Sequence, residues 1–182
     1  MKKTVIIFGL ISGTISSTLM MLGIVPFIDR IGFDRGMYFG YAAIVLSFLL
    51  VFFGIKSYRD NAGGGQVSFG KAFQVGILIT LISCMFYVLT WQVLYRTVMS
   101  DFGDKYSAYM IDKAKAEGAT EAQLQKQSEE MKKFWEMYQN PLVNAAFTFL
   151  EPFPVGLVIT LISAAVLRTK GRAQPMTPAP AS

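Results

Sequence analysis

Long uncharged stretches recur along the chain at short intervals. No Asp, Glu, Lys or Arg falls between Lys3 and Asp29, from Gly36 to Ile55, or from Ala72 to Tyr95. Past Glu136 only Glu151 interrupts the run as far as Leu167. A helix of about 20 apolar residues crosses a hydrocarbon core of roughly 30 Å. Three of the stretches reach that length outright, and the fourth does so by including one acid. In lipid every backbone N–H and C=O must be paired within its own segment, so each stretch is predicted to be helical. The expected fold class is an all-α membrane protein, with four transmembrane helices over about 4–25, 37–55, 73–95 and 142–167 in an up-down bundle.

The punctuation fits those limits. Pro26 ends the first run, and Asp29-Arg30-Ile31-Gly32-Phe33-Asp34-Arg35 reads as a short polar turn. Lys56 to Asn61 and Gly63 to Gly65 make a flexible loop, and Pro141 suits the first position of a helix. Trp91 and Tyr95 are amphipathic rings suited to a membrane interface. The first run could pass for a signal peptide, but 25 residues from Thr4 to Ile28 exceed the usual apolar region of about 7–15. It reads as a retained helix.

Residues 96–140 differ in kind, with acids and bases nearly balanced among strong helix formers. Gly118 is a predicted helix stop, and Thr120-Glu121-Ala122-Gln123 fits a capping box. Beyond it Leu124, Ser128, Met131, Trp135 and Tyr138 recur at intervals of four and three, one face opposite a charged one. A helical hairpin over 100–139 is expected, outside the hydrocarbon core, with helices at 104–117 and 121–138 and its stripe resting on a packing surface. Residues 1–172 thus form one transmembrane domain with this insert. The Ala/Pro/Ser-rich tail 173–182 is expected to be disordered.

Composition adds orientation. Net charge is +5 with only 16% charged residues, and the bases cluster at span ends rather than on a soluble face, which argues against nucleic acid. Lys2, Lys3, Lys56, Arg59, Lys71, Arg168, Lys170 and Arg172 share one side with the single acid Asp60. Arg30 and Arg35 on the other side are balanced by Asp29 and Asp34. The positive side faces the cytoplasm, so both termini are expected inside and the hairpin outside.

Most chemistries are excluded by absence. The chain has no histidine and one cysteine, so no Ser-His pair, imidazole base, zinc site or iron–sulfur site can be built. No acidic pair lies within a span. No catalytic, cofactor-binding or metal site is expected. Gly65-Gln66-Val67-Ser68-Phe69-Gly70-Lys71 matches a phosphate-binding loop until Ala72 stands where a Ser or Thr should hold Mg²⁺. It reads as a glycine loop before a span. Gly9 and Gly13, with Ser12, Ser16 and Ser17 around them, predict close helix packing, first of all within one chain. Cys84 reads as a small apolar residue in the third span.

Glu151 is the one ionisable residue inside a span, and Pro152 and Pro154 after it free carbonyls at Thr148 and Leu150. Counted back from Leu167, it lies about one turn below the hydrocarbon edge. The expected partners are Arg96 and Gln92 from the third span, with Tyr38, Tyr41 and Trp91 near the same level. A structural ion pair or cap and an ion or ligand site both fit this cluster.

The ordered segments Phe53-Gly54-Ile55-Lys56-Ser57-Tyr58-Arg59-Asp60, Ser68-Phe69-Gly70-Lys71-Ala72-Phe73, Asn140-Pro141-Leu142 and Thr148-Phe149-Leu150-Glu151-Pro152-Phe153-Pro154-Val155-Gly156-Leu157 resemble the domain-of-unknown-function family 4199. The resemblance implies a bacterial inner-membrane protein with four helices and a soluble insert before the last. It carries no activity with it. The expected function is therefore a non-enzymatic structural or accessory membrane protein, in contact with lipid and with a membrane or periplasmic protein through 100–139. The alternative is a small transporter or channel subunit using Glu151 and an outer polar ring. An enzyme is the weakest of the three, because Asp, Glu, Lys and Tyr are present without a motif to join them.

Overall fold

The computed structural model describes residues 1–25 and 28–169, so the expected disorder of 173–182 lies outside the described residues. Among these residues the chain forms α1 (Lys2–Thr18), continued by a π-helical turn (Leu19–Ile24), then α2 (Ile28–Ile31), α3 (Phe33–Asn61) and α4 (Phe69–Thr97). After these come α5 (Phe102–Ala116), α6 (Glu121–Tyr138), α7 (Pro141–Leu150) and α8 (Pro152–Leu167). Four helical stretches are long and apolar enough to cross a membrane: Lys2–Gly23, Phe33–Asn61, Phe69–Thr97 and Pro141–Leu167. Within an apolar window of 18 residues in each, only 33% to 39% is buried inside the protein. The rest, including Leu22, Phe39, Met85 and Val166, presents apolar side chains outward over all sides of the bundle. That is far more than a water-soluble surface carries, so the chain is a multi-pass membrane protein.

Local chemistry sets the helix ends. Ser68 caps α4, its Oγ accepting the Lys71 N–H at 3.3 Å, so Gly65–Lys71 runs from a glycine turn into a helix start. Thr120 and Gln123 form the capping box of α6, and Asn140 Oδ1 accepts the Leu142 N–H at 2.9 Å ahead of Pro141. Gly118, at φ +87°, closes α5 in a conformation that a Cβ would strain.

Helix α3 outruns its apolar stretch at both ends. Its 29 residues span about 43 Å at 1.5 Å each, against roughly 30 Å of hydrocarbon, so the charged turns project beyond lipid. The last span is not continuous. It breaks at Glu151, because Pro152 and Pro154 have no N–H to bond back along the helix. The π-helical turn after α1, where the Val25 N–H bonds Met20 O at 3.1 Å, has no evident signal in the sequence.

Register is fixed by small residues and hydroxyls. Gly9 lies against Ile82, Gly13 against Phe86, and Ser17 Oγ is 2.7 Å from Thr90 Oγ1, each pair 73 positions apart. Helices α1 and α4 therefore run parallel. A Cβ on Gly13 would come within 2.7 Å of the Phe86 side chain, so the expected close packing is made within one chain. Ser12 Oγ donates to Ser47 O at 2.8 Å, while Phe8 meets Gly54, so α3 is antiparallel to α1. Between α4 and the last span the pairs are Val67 with Thr169, Thr80 with Thr160, Tyr87 with Glu151 and Gln92 with Asn144. One number rises as the other falls, which makes that contact antiparallel too. The core runs through Ile44, Val51, Ile55, Val75, Ile79 and Ala164. Met1, Val67 and Leu167 share the end of the bundle opposite α5 and α6.

Candidate functional site

At the α5–α6 end, spacing puts polar groups on facing stripes. Tyr87 and Trp91 lie one turn apart on α4, beside Gln92. Asn144, Thr148 and Glu151 follow at intervals of four and three along α7. Tyr138, at the last turn of α6, drops between them. A chain of hydrogen bonds results. Trp91 Nε1 donates to Tyr138 Oη at 2.9 Å, which is 3.3 Å from Thr148 Oγ1, and Thr148 donates to Asn144 O at 2.8 Å. Gln92 Nε2 donates to Asn144 Oδ1 at 3.1 Å and to Pro141 O at 2.9 Å. Asn144 is 2% exposed and Thr148 5%, so these bonds satisfy groups that would be costly to leave unpaired. Burial pushes the Tyr138 hydroxyl's pKa above its ordinary value.

Above this network sits an aromatic seam. Phe102 packs on Trp91 with ring centroids 5.3 Å apart, and Phe33 meets Phe102, Tyr106 and Tyr109 at 5.2 to 5.7 Å. Trp135 crosses Gly103, and its Nε1 donates to Ser107 Oγ at 2.9 Å, so the end of α6 lies on the start of α5. Lys113 adds an ion pair to Asp34 at 3.3 Å. The stripe read from the sequence thus has its surface: Trp135 and Tyr138 rest on α5 and on the bundle. Ser128, farther out along the stripe, is exposed.

Between α5, α6 and α7 lies a groove of about 520 Å³. Phe102, Tyr106, Met110, Met131, Phe134, Trp135 and Phe147 line it, with Tyr138, Thr148 and Glu151 on the bundle side and Gln127 and Glu130 on α6.

The expected partners of Glu151 need correction. Its Oε2 accepts the Tyr87 hydroxyl at 2.9 Å, and neither Gln92 nor Arg96 reaches it. Antiparallel register explains this. Glu151 faces Tyr87, whereas Arg96 lies nine positions along α4, about 13 Å away along its axis. Arg96 is exposed and makes no ion pair among the described residues. Gln92 bonds instead near the start of α7. The Glu151 side chain is exposed to the groove, not enclosed in the bundle. Trp91 belongs to the network, but Tyr38 and Tyr41 are exposed and do not line the groove. The sequence points to Thr148 here only through its freed carbonyl, and it does not point to Tyr87, Asn144 or Tyr138. The spacing of 144, 148 and 151 was the available signal. Among the described residues no three of His, Cys, Asp or Glu come together as a metal site would require.

A family model described as Protein of unknown function (DUF4199) matches residues 7–169. No curated protein and no solved structure matches the chain.

Proposed function

This chain belongs to the DUF4199 family, and we propose that it is a non-enzymatic accessory protein of the bacterial inner membrane that presents the α5–α6 pair to a partner outside the cytoplasm. The seating of that pair carries the reading. Phe33, Trp91, Phe102, Trp135 and Tyr138 fix one face on the ends of α3, α4 and α7. The other face of α6, with Lys126, Glu129, Lys132, Lys133 and Glu136, is exposed and carries both signs of charge. A surface held this firmly at a bundle end costs little further ordering when a partner binds. Lys2, Lys3, Lys56, Arg59, Lys71 and Arg168 stand at the opposite end, which supports cytoplasmic termini. The lack of histidine supports a role without acid–base catalysis at neutral pH.

Photoreactive residues at Glu129 and Lys133 in native membranes test it. A single defined protein adduct is expected from both, lost when Lys126 and Lys132 are changed to Glu. Adducts no stronger than those from lipid-facing Leu22 would refute the docking role.

The groove beside Glu151 favours a second reading, a small transporter or channel subunit. A void between Ser16, Ser47, Ser83 and Pro152 holds only about 10 Å³, the size of one water, so a conduit would have to form between copies. A monomeric mass in detergent would count against it.

A further inference from the structure

We propose that the groove between α5, α6 and α7 binds a lipophilic organic cation, a site independent of the docking role above. Its volume of about 520 Å³ is that of a ligand pocket, which usually falls at roughly 300–1,000 Å³. Its chemistry selects among ligands. Two carboxylates, Glu151 and Glu130, line it, and no Lys, Arg or His does, so an anionic headgroup would meet two like charges and no cation. Phe102, Tyr106, Phe134 and Trp135 offer π faces, which attract a cation as well as apolar surface. Met110 and Met131 supply walls that adapt to irregular shapes.

Glu151 supplies the anchor. One oxygen takes the Tyr87 hydroxyl, and the other has no hydrogen bond among the described residues. A carboxylate near lipid with one side unpaired is unfavourable, and a cation carrying its own apolar cover would relieve it. The position fits an amphiphile. Gln127 and Glu130 lie on the extramembrane α6, while Glu151 lies within the last span, so the groove crosses the level of the interface.

The full-length protein in nanodiscs, titrated with tetraphenylphosphonium and followed by tryptophan fluorescence, tests the proposal, with empty nanodiscs subtracted. The two tryptophans both report, since Trp135 lines the groove and Trp91 bonds Tyr138. Saturable quenching is expected with tetraphenylphosphonium and none with tetraphenylborate, which has the same shape and opposite charge. Glu151→Gln should weaken binding on the order of tenfold, more than Glu130→Gln does. If Glu151→Gln fails to fold, Phe134→Leu keeps an apolar side chain in place, removes a ring and should still weaken binding several-fold. Equal binding of the borate, no saturable signal, or unchanged affinity in a folded variant would overturn it.

Discussion

The crossing of α4 and α8 offers a quantitative test of the bundle, with Gly156→Ala as the perturbation. Thr80 and Thr160, both 0% exposed, meet hydroxyl to hydroxyl at 3.0 Å. Their methyl groups seat on glycines across the interface. A Cβ on Gly156 would lie 2.5 Å from Thr80 Cγ2 and 2.9 Å from Phe48 Cζ, and one on Gly76 would lie 2.8 Å from Thr160 Cγ2. Phe48 is 2% exposed and cannot swing clear. Overpacking of this kind costs about 1–3 kcal/mol, while alanine gains at most about 1 kcal/mol in helix propensity. Much of that gain disappears when the unfolded reference in detergent keeps its helices. The net expectation is a loss of about 1–2 kcal/mol, or roughly 2–8 °C in Tm for a chain of this size. Thr80→Val keeps the methyl and removes only the hydrogen bond, at about 0.6 kcal/mol, because Thr160 can turn to its own helix. Thr80→Val with Thr160→Val should then cost little beyond either single change. Circular dichroism during dodecyl sulfate titration in mixed micelles measures all four variants. Gly156→Ala as stable as the parent, or less damaging than Thr80→Val, would mean the helices do not approach this closely.

Three further outcomes follow from the same geometry. Ser17→Cys with Thr90→Cys should crosslink readily on mild oxidation, whereas Ser17→Cys with Leu81→Cys should not, as read by gel mobility after cleavage between the spans. Gly118→Val should lower stability by about 1–2 kcal/mol, because a branched residue is strained at positive φ; the loss should show in the melting of the α5–α6 pair by hydrogen exchange. The Lys113 ammonium donates to Asp34, which holds its pKa above the ordinary 10.5. Its contribution is present below that ordinary value and is lost as pH rises through the raised one. Carbon NMR of the Lys113 side chain should show the raised titration, and Asp34→Asn should return it toward 10.5.

How much the sequence revealed depends on what each residue type has to do. Spans were legible because charge is excluded from lipid, so Lys3 and Asp29, or Lys71 and Arg96, bracket them wherever the helix itself ends. Thr120, Gln123, Gly118 and Pro141 were legible because capping and positive φ are local demands. Register was not. Lipid and bundle interior are both apolar, so Leu22 facing outward and Ile79 facing inward look alike, and the helical period that orients a soluble helix is missing. That is why Glu151 stood out as a lone charge while its partner did not. Arg96 carries the matching charge, yet the register set by Thr80 and Thr160 brings Tyr87 there instead. The small residues Gly9, Gly13 and Ser17 marked a close contact but not which helix would make it. The groove needed the whole placement of α6 over α7, which follows from Trp135 finding Gly103 and Tyr138 finding Trp91.

The orientation proposed above puts the α5–α6 pair outside the membrane and both chain ends inside. Cysteine labelling with an impermeant maleimide on intact cells tests it directly. The native Cys84 is 0% exposed and should stay silent, so single substitutions read cleanly. Lys133→Cys, on the exposed face of α6, should label in intact cells. Ala62→Cys, in the connection between α3 and α4, should label only after the cells are permeabilised. Labelling of Ala62→Cys in intact cells, with Lys133→Cys protected until permeabilisation, would contradict the account.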